Sequence, residues 1–166
     1  HIFYHLTAVM VVVVWGMTFI STKVLIVHGL SPQEIFLFRF LLAYAAVCPI
    51  SFHRFFARNL KDELYLVGGG VLGGSLFFFL QNMALGLTQA SNVSFIICMA
   101  PLLTAVLTVL SVRTEKVSRG FIYGSIIALL GVGLLIFNGS FILRISPLGD
   151  LLTLLASLSW AFYSLV

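Results

Sequence analysis

In "WGMTFISTKVLIV", Trp15 to Val27, polar side chains interrupt an otherwise apolar run. A helix turning about 100° per residue puts Trp15, Thr18, Phe19 and Thr22 within roughly one third of its circumference, with Lys23 on the flank. These groups donate and accept hydrogen bonds and offer one positive charge. None is an activated nucleophile or a metal ligand, so the chemistry on offer is recognition, not bond breaking. Two readings stand side by side. In one, Gly16 and the threonines let neighbouring helices approach, each Thr hydroxyl bonding back to the preceding turn. In the other, the stripe is half-wet and faces a path through the protein.

The same choice recurs along the chain. Lys23 and Arg39 each fall within about 10 Å of the same end of adjacent runs. Either both snorkel to the surface, or they turn inward as a positive vestibule for carboxylates, where the Arg fork is better suited than Lys. Gln81 and Asn82 are adjacent amides about 100° apart on a helix, so one can bond a neighbour while the other meets a cavity. In "SNVSFIICMAP", Ser91 or Asn92 can cap exposed amides, and Pro101 predicts a mid-span kink on a helix also bearing Ser94, Thr104 and Thr108. That kink suits a rocking helix and a static one alike.

Other chemistry has little support. All five acidic residues (Glu34, Asp62, Glu63, Glu115, Asp150) lie at span ends or in loops, and the four His are scattered. No nucleophile–His–acid spacing, phosphate loop or metal cluster is present, so neither an enzyme nor a cofactor is expected. Cys48 and Cys98 read as small apolar residues. The net charge of +4 forms no basic stripe, which excludes a nucleic-acid partner.

The elements that must position these groups follow from composition. Of 166 residues, 61% are hydrophobic and 8% charged, in runs long enough to cross a hydrocarbon core of about 30 Å. The expected class is all-α, a polytopic transmembrane bundle in a lipid bilayer, with spans at 5–27, 33–52, 64–87, 91–112, 121–138 and 148–166. Arg54, Arg58 and Lys61 fill one loop and Arg113, Lys116 and Arg119 another, while Arg144 stands alone on a third. The positive-inside rule then puts the N-terminus in the cytoplasm. Overlapping glycine pairs, Gly69 with Gly73 and Gly70 with Gly74, predict close helix packing, as do Gly120 with Gly124 and then Gly131 and Gly133.

Four stretches in this order resemble the drug/metabolite transporter superfamily, EamA type. They are "WGMTFISTKVLIVHGLSPQEIFLFRFLLA", "ALGLTQASNVSFIICMAPLLTAVLTVL", "TEKVSRGFIYGSIIALLGVGLLI" and "PLGDLLTLLASLSWAFYSLV". The resemblance implies two inverted five-helix halves that move small metabolites, such as amino acids, across the inner membrane, most described relatives being exporters. Residues 5–138 would be the first repeat and 148–166 the start of the second, with the rest of the second half absent from this sequence. Trp160 stands in its run much as Trp15 stands in the first, although the two segments share only that Trp and one Leu when aligned there. Small multidrug-resistance proteins, a related class, carry an acid inside their first span; here that span holds Lys23 instead. The pathway so implied is lined by Trp15, Thr18, Thr22, Lys23, Arg39, Gln81, Asn82, Asn92 and Ser94, with Pro101 as hinge. The competing expectation is a structural or assembly membrane protein whose glycine faces serve packing alone.

Overall fold

The structure, a computed structural model, describes residues 2–51, 59–111, 118–137 and 146–165. Arg54, Arg58, Arg113, Lys116 and Arg144, and the expected span ends at 52, 112, 138 and 166, lie outside the described residues. Eight α-helices are described: α1 (Ile2–Val27), α2 (Pro32–Ser51), α3 (Leu60–Gly69), α4 (Phe77–Leu87), α5 (Ala90–Ile97), α6 (Ala100–Ser111), α7 (Arg119–Phe137) and α8 (Pro147–Tyr163). Four stretches, 2–27, 32–50, 60–87 and 90–111, are long and apolar enough to cross a membrane. Helices α7 and α8 complete the bundle.

Local chemistry sets the ends. Gly29, at φ +101°, takes the left-handed conformation that terminates α1, with Leu30 N–H on the Leu25 carbonyl and Gly29 N–H on that of Ile26. Two residues later α2 opens with a capping box. The Ser31 amide and hydroxyl donate to the Glu34 carboxylate at 2.8 Å each, and the Glu34 amide donates to Ser31 Oγ at 3.3 Å. Helix α3 begins at Leu60, four residues before the expected start, because Asn59 is extended (φ −124°, ψ 146°) and Asp62 and Glu63 complement the first turn.

Two stretches are not plain α-helix. Between α3 and α4 the chain widens into a π-helix over Gly70–Leu76. The Leu72 carbonyl there accepts the Phe77 N–H and also the Ser159 hydroxyl of α8 at 2.8 Å. Around Pro101, where a kink is expected, the helix is interrupted by a two-residue turn. Helix α5 stops at Ile97, the residue whose carbonyl the Pro101 ring would strike, and α6 restarts at Ala100 after a turn through Cys98 and Met99. The α5 cap also differs from expectation. Gln89, extended and making no side-chain cap bond, precedes the helix, while Ser91 and Asn92 lie inside its first turn.

Helix α8 sits among the others, packed on α4, α5, α6 and the π-helix. Its inward stripe is small and polar: Gly149, Thr153, Ala156, Ser157, Ser159 and Ala161 are all buried. Such residues let backbones approach where hydrocarbon offers no hydrophobic gain. Helix α1 lies parallel to α4, with Trp15 against Phe77 and Lys23 against Leu85 at the same residue offset. Helix α2 runs antiparallel to α4, pairing Gln33 with Met83, Phe36 with Phe79 and Phe40 with Phe78. The core is Phe19, Ala84, Leu85 and Val93, flanked by Trp15, Ile26, Ala90, Ile97 and Leu152. Outside it, α1 presents Val9 to Val14 exposed, a surface suited to lipid tails.

Candidate functional site

A cleft of about 1050 Å³ lies between the middle of α1 (Val11 and Trp15), α3 and the end of α8. Its floor is the glycine run Gly69, Gly70, Gly73 and Gly74, and its walls are Trp15, Tyr65, Phe78, Trp160 and Tyr163, with Asp62 at the rim. Gly70 and Gly74 of the π-helix lie on this cleft, and a Cβ on Gly70 would meet nothing within 4 Å, whereas Gly69 ends α3 and Gly73 sits against the Tyr163 ring. The ring centroids of Trp15 and Trp160 are 5.4 Å apart, and Phe77 lies 4.9 Å from Trp160 and 6.4 Å from Trp15. This aromatic group closes the inner end of the cleft.

Deeper in α4 lie two amides. Gln81 is fully buried and Asn82 is 1% exposed, and among the described residues all four of their side-chain polar atoms lack a hydrogen-bond partner. The buried Trp15 Nε1 is likewise unpartnered. Phe77, Gln81 and Leu85 follow one another at intervals of four, so they share a face of α4, with Trp15 against Phe77 at one end of that stripe. Leaving a buried polar group unmatched costs about 1–3 kcal/mol, which makes this stripe unlike ordinary core.

The remaining expected residues divide. Thr18 donates to the Trp15 carbonyl at 2.6 Å and Ser94 to that of Ala90 at 2.8 Å, the bonding back to the preceding turn that packing requires. Thr104 and Thr108 do the same to Ala100 and Thr104. Thr22 is buried. Asn92 Nδ2 reaches Thr88 Oγ1 at 3.4 Å. Lys23 turns into the protein, its Nζ donating to the carbonyls of Leu85 (2.6 Å) and Thr88 (2.8 Å) at the end of α4. Arg39 sets its guanidinium 4.5 Å from the centroid of the Phe78 ring and borders a smaller cavity of about 420 Å³ with Thr7, Met10, Val11, Val14, Trp15 and Thr18. Phe78 and Leu85 are about two turns apart on α4, so the two cations are engaged at separate places, not joined in one vestibule. Pro101 borders a third cavity of about 370 Å³ with Thr104, Ala105, Phe121, Trp160 and Ser164.

Sequence reasoning missed Tyr163, Phe78, Thr88 and Asp150 as neighbours of the site.

The family model of the EamA-like transporter family matches residues 2–137. No curated protein and no solved structure matches the chain.

Proposed function

We propose that this chain, which belongs to the EamA-like transporter family, supplies one half of a secondary transporter that exports small metabolites such as amino acids across the inner membrane. Residues 5–138 form the first repeat and α8 begins the second, inverted one, whose further helices complete the pathway. The N-terminus is cytoplasmic, following the basic loops. The cleft beside α3 and the end of α8 then faces the cytoplasm as the entry.

The observation that carries this reading is the aromatic cleft ending at Trp15, with the unpartnered Gln81 and Asn82 beyond it. Substrate-facing amides explain polar groups that packing leaves unsatisfied. On the family's terms Trp15, Thr18, Thr22, Lys23, Arg39, Gln81, Asn82, Asn92 and Ser94 line or support the pathway and Pro101 is its hinge. A purely structural role leaves both the cleft and the amides without a use.

The test is uptake into inverted vesicles by the full-length protein, screened against amino acids and organic acids. Accumulation of one class, abolished with the protein absent, is expected. Absence of any accumulation by folded protein would favour the structural role. Orientation is tested separately with single cysteines in "HGLSPQE" or "LTQAS", which an impermeant thiol reagent should label from outside intact cells.

A further inference from the structure

Opposite the open cleft, one knot of polar contacts ties four helices, α1, α4, α5 and α8. Lys23 of α1 donates to the Leu85 and Thr88 carbonyls, groups that a helix C-terminus leaves unmatched and that carry partial negative charge. Thr88 in turn donates its hydroxyl to Asp150 Oδ1 of α8 at 3.4 Å, and the Ser146 amide donates to Asp150 Oδ2 at 3.3 Å. Asn92 reaches the same Thr88 hydroxyl. The backbones are pressed together here, since a Cβ on Gly149 would stand 2.9 Å from Thr88 Cβ. The buried cluster of Phe19, Leu85 and Val93 lies directly beneath.

We propose that Lys23, Thr88 and Asp150 form a latch that shuts the outer end of the bundle in this conformation. Lys23 must leave the α4 carbonyls before the pathway opens on that side. Lys23 is thus a gating residue and not a substrate ligand while the cleft faces inward. The word "outer" rests on the orientation proposed above; the contacts do not.

The test uses the full-length protein with Cys48 and Cys98 replaced by Ala and one reporter, Val93→Cys, in the buried cluster under the latch. A small impermeant thiol reagent is applied to right-side-out and to inverted vesicles. Lys23→Met keeps the stem and removes the charge, and it should speed labelling from the outer face about tenfold, the scale of losing charge-assisted bonds from the shut state. Lys23→Arg should change it far less. Thr88→Val keeps the carbonyl but loses the link to Asp150, and should give a smaller rise on the same face. A rise confined to the inner face would support the latch and overturn the orientation. Unchanged labelling in both Lys23→Met and Thr88→Val, or a rise equal on both faces, would overturn the latch.

Discussion

The ring of Tyr163 occupies the space that a side chain on Gly73 would need: a Cβ there would stand 2.5 Å from its Cγ and 2.6 Å from its Cδ2. Backbone of the π-helix and ring of α8 therefore meet with nothing between them. Gly73→Ala should destabilise the protein by about 1–3 kcal/mol through overpacking. Gly70→Ala, where nothing lies within 4 Å, should be tolerated. Thermal unfolding in detergent separates them, and pairing Gly73→Ala with Tyr163→Gly should recover part of the loss. Equal effects at both glycines would mean that Tyr163 is not the obstacle.

The two Trp of the chain are Trp15 and Trp160, and their rings are in contact. Replacing each by Phe, singly and together, should reveal a coupling of about 0.5–1.5 kcal/mol, the usual size for an aromatic pair beyond its buried area. Because no other Trp contributes, the emission of each single variant reports one ring. Additive effects within error would show that the rings merely adjoin.

The helical class was legible because a bilayer demands it: only internally bonded backbone survives in hydrocarbon. The buried face of α1 was legible too, since Phe19 and Thr22 fall on the stripe that a period of 3.6 picks out. Lys23 shows where sequence reading stops. Its partners are backbone carbonyls, which every residue carries, so nothing in the letters distinguishes Leu85 or Thr88 as the acceptor. The π-helix was hidden for a related reason, as glycine spacing signals close approach but not the width of the turn. Pro101 marked a disturbance in span four, yet whether a proline kinks or breaks a helix depends on what its neighbours re-satisfy. Trp160 was visible as an echo of Trp15; that the two rings meet required the α8 placement.

At Pro101 a substitution should uncouple motion from stability. Pro101→Ala returns an N–H to the backbone and removes the clash with the Ile97 carbonyl, so α5 and α6 can join. Abundance and melting temperature should hold or rise, while transport by the full-length protein slows several-fold, on the order of the 1 kcal/mol or so by which hinge bending becomes harder. If transport falls only as far as protein abundance does, the break belongs to packing and not to movement.

Gln81 and Asn82 allow the sharpest separation of stability from function. Both are buried and, among the described residues, make no side-chain hydrogen bond that would stabilise the fold. Replacing such a group by an apolar one of similar shape is near neutral or favourable, since each unmatched group otherwise costs about 1–3 kcal/mol. Gln81→Leu and Asn82→Leu should therefore leave the melting temperature unchanged or raised. Transport should move the opposite way if these amides receive the substrate. A lost hydrogen bond to a charged group is worth about 1.5–3 kcal/mol, which corresponds to roughly a tenfold to hundredfold fall in transport efficiency. Asn82→Ser and Gln81→Ser, which keep one donor and acceptor, should retain more transport than the Leu variants despite a larger cavity penalty. A Leu variant that is stabilised and still transports at the parent rate would remove that residue from the pathway and assign it to the core.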